Sequence, residues 1–239
     1  MNINEQSILS YAEAKENFSI GELTIYLESL EIHLSKSVLY SYINRLINSK
    51  KLARVGRGVY SLIAKDVFLP KLDDKTLRIY EVLHKAYPFA NFCMYQGYNI
   101  SSFQHHLSEN NIIYVETNRE AMESVFNFLK DRAFEAYLKP NRELIYNYID
   151  LKSEAIFIKP LISEAPIQQI NDIPVPTIEK LLVDIYKDND FFYLQGSESS
   201  YILENAFSLY SINHSRLLRY AGRRGIKPEI EREIKLLEL

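Results

Sequence analysis

Residues 34–64 read LSKSVLYSYINRLINSKKLARVGRGVYSLIA, and the fold of the N-terminal part of the chain turns on them. Stepping about 100° per residue along a helix that begins after Ser35 puts Val38, Leu39, Tyr42, Ile43 and Leu46 on one side. Ser37, Tyr40, Ser41, Asn44 and Asn48 fall on the other, with Arg45 at the flank. Ser35 is placed to cap the helix, and Lys50 and Lys51 sit at its end, where their charge suits the dipole. A merely solvated face would be rich in Glu and Lys. This one offers hydroxyls, amides and a phenol, side chains that bond to base edges and phosphate oxygens, and no carboxylate. The segment KLARVGRGVYSLIA then alternates apolar and polar residues around Gly56 and Gly58, the pattern of a hairpin whose turn needs positive φ, with Arg54 and Arg57 riding on it.

Charge is sorted around this stretch. Between Ser35 and Lys65 lie Lys36, Arg45, Lys50, Lys51, Arg54, Arg57 and Lys65 with no Asp or Glu, a local charge of +7. The preceding residues hold Glu5, Glu13, Glu16, Glu22, Glu28 and Glu31 against Lys15 alone. Before the quoted stretch, Glu5 to Lys15 has an apolar stripe of Ile8, Leu9, Tyr11 and Ala12 at helical spacing. Ser19 followed by Glu22 is a capping box, with Phe18 and Leu23 as its hydrophobic staple. Residues 1–69 are therefore expected to form a winged helix-turn-helix that binds duplex DNA. Ser37, Tyr40, Ser41, Asn44 and Arg45 would meet the major groove, while Lys50, Lys51, Arg54 and Arg57 would hold phosphates. The plain alternative is a basic hairpin on a small helical domain that binds nothing.

The run from Val38 to Ile63, with its Leu-x-basic-x-Gly-x-Gly-Val-Tyr character, resembles the N-terminal winged helix of AbiEi-type antitoxins of type IV abortive-infection toxin-antitoxin systems. Many unrelated winged helices end in a similar hairpin. PVPTIEKLLVDIY, in which Glu179 and Asp184 take the acidic positions, resembles a strand-to-helix segment of that family. INHSRLLRYAGRRGIKPEIEREIKLLE resembles its closing helices. The resemblance implies a transcriptional autorepressor acting as an antitoxin, with operator DNA as one partner. It also implies a nucleotidyltransferase-like toxin, whose neutralisation need not involve a stable complex.

At 239 residues the chain favours two domains over one core. Its composition is that of an ordinary globular protein. The N-terminus lacks a secretory pattern and no apolar run is long enough to span a bilayer, so no membrane association and a cytoplasmic location are expected. The single cysteine, Cys93, has no partner for a disulfide or a zinc knuckle. A net charge of -3 argues against nucleic acid covering the whole surface, which places any DNA contact on the sorted face.

Asp66 to Lys75 breaks periodicity and reads as a linker, after which residues 77–239 alternate helix and strand. From Leu77, the residues Leu77, Tyr80, Leu83, Ala86 and Tyr87 share a helix face that Pro88 ends. FANFCMYQG and NIIYVETN read as strands, and Arg119 to Arg132 as a helix buried through Met122, Val125, Phe126 and Leu129. Leu144 to Ile149, Ala155 to Ile158 and Ile170 to Val175 read as further strands. Helices follow over Ile178 to Tyr186, Ser199 to Leu209 and Ser215 to Arg223. The overall class is α+β, a winged helix-turn-helix followed by a mixed α/β domain with helices covering a sheet. Arg216, Arg219 and Arg223 form one ridge opposite Leu217, Leu218 and Ala221, either a second basic contact or a solvated face balanced by Glu229, Glu231 and Glu233.

For chemistry the sequence offers little. His105 and His106 are adjacent and point apart on a helix, with no Cys or carboxylate at ligand spacing, so no metal is expected. Asp188-Asn189-Asp190 precedes Gly196-Ser197, whereas a nucleotidyltransferase has its Gly-Ser turn before the aspartates. The acids read as a polar loop, and Ser197 and Glu198 as the start of the next helix. Glu179 and Asp184, five apart, do not form a catalytic pair on one helix face. No phosphate-binding glycine loop is present, and the tyrosines lie among basic residues only near Tyr40, Tyr42 and Tyr60. The expectation is therefore no enzyme and no cofactor. Two alternatives stay open: a nucleotidyltransferase-like enzyme targeted by its winged helix, and a ligand-sensing repressor without a toxin.

Overall fold

The computed structural model describes residues 3–15, 17–49, 51–63, 66–104 and 109–237. The chain is mixed α+β and divides into two compact units, one running to Asp66 and the other starting at Val67.

The N-terminal unit runs α1 (Ile3–Glu13), β1 (Phe18–Ser19), α2 (Ile20–Ser29), α3 (Lys36–Asn48), β2 (Leu52–Gly56) and β3 (Val59–Leu62). The capping box forms as the sequence requires: Ser19 Oγ accepts from the Glu22 amide, and Glu22 Oε2 accepts from the Ser19 amide at 2.7 Å. The Ser19 amide and the Ser19 hydroxyl, both donating to Glu22 Oε2, lower the Glu22 carboxyl from its ordinary value. β1, β3 and β2 lie in that order in one antiparallel sheet, with Phe18 opposite Tyr60. Arg57 and Gly58 make the tight turn between the paired residues Gly56 and Val59, and Gly58 adopts φ 72°, which a side chain would strain. Ile8, Ala12, Phe18, Leu23, Leu27, Leu39, Ile43, Leu46, Leu52 and Tyr60 form one core. Each large apolar side chain buried there contributes about 1.5–3 kcal/mol.

The C-terminal unit contains α4 (Asp74–Ala86), β4 (Phe92–Gln96), β5 (Ile113–Thr117), α5 (Met122–Lys130), β6 (Ala136–Leu138), α6 (Arg142–Tyr148) and β7 (Ile156–Pro160). β8 (Ile167–Ile170), β9 (Ile173–Pro176) and α7 (Ile178–Lys187) follow, and then α8 (Ser197–Leu209), α9 (His214–Arg223) and α10 (Lys227–Leu236). The main sheet has the order β4-β5-β7-β6, in which β5, β7 and β6 are parallel and β4 is antiparallel. Alternation along the strands feeds two cores. Phe92, Met94, Ile113, Val115, Ile156 and Ile158 join Leu83 of α4 and Val125 and Leu129 of α5 on one face. Tyr95, Tyr114 and Phe157 join Leu181 and Leu182 of α7, Leu203 of α8 and Leu217 of α9 on the other.

Several local expectations are corrected. Leu144 to Ile149 is not a strand: residues 144–148 lie in α6 and Ile149 caps its end, because Asn141 Oδ1 accepts from the Leu144 amide at 2.8 Å and starts a helix. Ile170 to Val175 is not one strand. Asn171 and Asp172 both take positive φ and turn the chain between β8 and β9, the pairing of φ values that a two-residue hairpin loop favours. The short strand β6 was not anticipated. The supposed linker is tied to the C-terminal unit: Phe68 is buried against Phe103 and Tyr210, and α4 already begins after the Asp73 cap. The buried face of α4 is Thr76, Ile79 and Leu83, leaving Ala86 exposed.

Candidate functional site

In the N-terminal unit the buried stripe of α3 is Leu39, Ile43 and Leu46, spaced i, i+4 and i+7. Val38, expected inside, is 42% exposed, because it sits one step of about 100° outside that stripe. Ser37, Tyr40, Ser41, Asn44 and Arg45 are all exposed. Ser35 Oγ caps the helix through the Val38 amide and lies 3.1 Å from Ser37 Oγ, while Ser41 Oγ donates to the Ser37 carbonyl. These are short, locally satisfied side chains that can exchange a helix carbonyl or water for a ligand atom.

One carboxylate does reach this neighbourhood. Arg45 Nη1 lies 3.1 Å from Glu5 Oε1, and its guanidinium sits 5.1 Å from the Tyr42 ring centre. The stretch is free of acids along the chain, but α1 brings one in from forty residues away. Asn4 Nδ2 donates to Tyr42 Oη at 3.3 Å and anchors the start of α1 there. On the hairpin, Arg54 is exposed and its Nε donates to the Gly56 carbonyl at 3.2 Å, while Arg57 projects from the tip. The Lys51 amide donates to the Leu46 carbonyl at 2.8 Å and fixes the passage from α3 into β2. Lys50 and Lys65, together with Glu16, His105 and His106, lie outside the described residues.

The C-terminal unit uses charge differently. Arg216, Arg219 and Arg223 are exposed along α9, but Arg223 hydrogen-bonds Ser163 Oγ and Arg216 Nη1 lies 3.7 Å from Glu179 Oε2. Glu179 itself is buried and accepts from the Asn213 amide at 2.9 Å, capping the approach to α9. Arg224, which no sequence argument singled out, turns inward. Its Nη1 donates to Asp184 Oδ1 at 2.7 Å and its Nη2 to Asp188 Oδ1.

Asp188 and Asp190, expected in a polar loop, instead straddle the Lys159 ammonium at 2.6 and 2.7 Å, Asp188 capping and Asp190 lying on a 3-10 segment over Asn189–Leu194 whose Phe191 is buried. Lys180 binds Glu116 Oε1 at 2.7 Å and Asp184 Oδ2 at 2.6 Å, and Tyr220 Oη donates to Asp184 Oδ1 at 2.9 Å. Together these groups form a chain of alternating sign, Asp190, Lys159, Asp188, Arg224, Asp184, Lys180 and Glu116. Burial alone would raise the Asp188 carboxyl, but Lys159 and Arg224 hold it down to about 2. At the two ends burial wins: the Glu116 and Asp190 carboxyls are pushed up despite their lysines.

The sequence carried a signal for this network. Glu116 and Lys159 are directly paired in register across β5 and β7, on the face that also bears Tyr114 and Phe157. A single charged residue near the end of each otherwise uncharged strand, in YVET and IFIKP, marks that row. α7 is buried from Ile178 to Ile185 and so carries Glu179, Lys180 and Asp184 inside.

Among the described residues no three His, Cys, Asp or Glu side chains are placed to hold a metal ion, and no helix is long and apolar enough to cross a membrane. A search of the curated proteins found no match. Residues 38–238, from within α3 to beyond α10, match a family of unknown function, and on that extent the chain belongs to the family of unknown function DUF6577.

Proposed function

We propose that the N-terminal unit is a winged helix-turn-helix that binds double-stranded DNA, and that the protein is a transcriptional regulator repressing its own operon. The order helix, short strand, helix, helix, hairpin supports this reading, with α3 as recognition helix and the Arg57-Gly58 turn as wing tip. The observation that carries it is the outer face of α3, where Ser37, Tyr40, Ser41 and Asn44 are exposed together without a carboxylate among them. Asn44 is suited to the paired donor and acceptor of adenine in the major groove, and the exposed Val38 to a thymine methyl. Arg54, Arg57, Lys50 and Lys51 supply the sequence-independent hold on phosphates.

By its resemblance to AbiEi-type proteins, the regulator is an antitoxin whose toxin is a nucleotidyltransferase-like enzyme. Glu179 and Asp184, the acidic positions of that resemblance, act here as a helix cap and as a junction of buried ion pairs. Both roles suit a structural rather than a catalytic use.

The test is a fluorescence-anisotropy titration of the full chain against the duplex upstream of its own gene and against scrambled duplex, between 50 and 200 mM salt. Tighter binding to the upstream duplex, weakening steeply with salt, is expected. Failure to bind either duplex at low salt overturns the assignment. Equal, salt-insensitive binding to both does so as well.

A further inference from the structure

The polar row of the main sheet ends in an opening. Glu116, Lys139, Lys159, Asp188, Asp190 and Arg224 line a cleft of about 310 Å³ at the carboxyl ends of the parallel strands. That end of a parallel sheet is where helix and loop geometry most often leaves room for a ligand, and the volume is at the lower end of small-molecule sites. The alternating chain of ion pairs wraps this cleft, and both of its terminal carboxylates, Glu116 and Asp190, face it.

The charges in the chain do not balance. Glu116, Asp184, Asp188 and Asp190 are four acids, whereas Lys159, Lys180 and Arg224 are three cations, so the chain carries one excess negative charge if all are ionised. One atom is also left over. Glu116 Oε1 accepts from Lys180, but Glu116 Oε2 is buried without a hydrogen-bond partner, on a residue only 2% exposed. Leaving a buried carboxylate oxygen unpaired is costly, and the complement of such an atom is an N–H or O–H donor, best one that brings positive charge. A metal ion suits the geometry poorly. The Lys159 ammonium already occupies the space between Asp188 and Asp190, and Lys180 that between Glu116 and Asp184.

We propose that this cleft binds a small organic cation bearing a primary ammonium or guanidinium group, whose N–H donors satisfy Glu116 Oε2 and whose charge completes the alternating chain. Lys139, exposed at φ 46°, is a like charge that lines the cleft without belonging to the ion-pair chain. The site stands apart from the DNA-binding reading and holds or fails independently of it.

Isothermal titration and thermal melting of the full chain test this with ethylammonium, putrescine and agmatine, against tetramethylammonium and sodium at equal ionic strength. At least one of the three N–H cations is expected to bind saturably at one site per chain and raise the melting temperature. Tetramethylammonium, which carries the charge without a donor, is expected not to. Glu116→Gln should weaken that binding about tenfold or more. Lys139→Ala, at the rim and outside the ion-pair chain, should strengthen it about threefold by removing a like charge. The proposal is overturned if no amine outperforms tetramethylammonium, or if folded E116Q binds as well as the wild type. Should E116Q not fold, the rim variant decides, and unchanged or weaker binding by K139A overturns the proposal.

Discussion

The two units spend the same kinds of charged side chain in opposite ways. In the N-terminal unit, Lys36, Arg54 and Arg57 stand in solvent on an exposed surface, and the ion pair of Arg45 with Glu5 is exposed on the arginine side. In the C-terminal unit Lys159, Lys180, Asp184 and Asp190 are almost wholly enclosed and each binds an opposite charge. An exposed cation keeps its hydration and stays available to a polyanion, contributing little to the fold. An enclosed one has given up its hydration and is committed to its neighbours, so its removal acts on stability first. The difference separates residues whose substitution should change binding from residues whose substitution should change folding.

Asp184 gives the largest contrast. It accepts from Lys180, Arg224 and Tyr220 at once, so Asp184→Ala leaves two buried cations short of a counter-charge. The C-terminal unit should lose about 3–5 kcal/mol, read as a lowered urea midpoint. Ser41→Ala on exposed α3 should stay within about 0.5 kcal/mol. A small effect at Asp184 would mean that the network is not built as a unit.

Asp188 sharpens the same point through pH. Its folded carboxyl titrates at about 2, below the ordinary unfolded value near 4, so the stability it contributes is present above about pH 4 and is lost as pH falls toward 2. The gap in unfolding free energy between wild type and Asp188→Asn should therefore narrow by on the order of 2 kcal/mol between pH 6 and pH 2. A constant gap would show that Asp188 titrates normally.

On the exposed side, Asn44→Ala should cost about 1–3 kcal/mol of affinity for the upstream duplex and leave binding to scrambled duplex unchanged. Arg57→Ala should weaken both alike and reduce the salt slope by about one. Equal losses on both duplexes for N44A would move Asn44 from base reading to backbone contact.

What could be read in advance follows the same division. Ser19 with Glu22, the Leu39, Ile43 and Leu46 stripe and the turn at Gly58 are local patterns, fixed by neighbours within a few residues, and they appear in the structure at those positions. The buried network is not local. Glu116 meets Lys180 across 64 residues, and Arg224 meets Asp184 across 40. Arg224 differs from the exposed Arg223 by one step around the last turn of α9, which spacing alone cannot rank as inward or outward. Leu144 to Tyr148 looks like a strand by its apolar residues, but in the protein the Asn141 cap decides for a helix. The acid at Arg45 escaped notice because α1 supplies it, not α3.

That acid sets up the smallest and most discriminating prediction. Glu5 has a side chain only 13% exposed, held near α3 as Asn4 bonds Tyr42, whereas Arg45 is 63% exposed. The pair itself contributes about 0.2–1 kcal/mol in the free protein. Arg45 can reach DNA only by leaving Glu5 or by carrying a carboxylate toward the phosphates, and either course costs affinity. Glu5→Gln removes that cost, so it should lower stability by less than about 1 kcal/mol yet tighten DNA binding about twofold to threefold and steepen its salt dependence. Arg45→Ala should act in the opposite sense on binding. If R45A weakens binding and E5Q leaves it unchanged, Arg45 engages DNA without parting from Glu5. If neither substitution moves it, Arg45 belongs with the committed charges of the C-terminal unit, and the contact surface of α3 narrows to Ser37, Tyr40, Ser41 and Asn44.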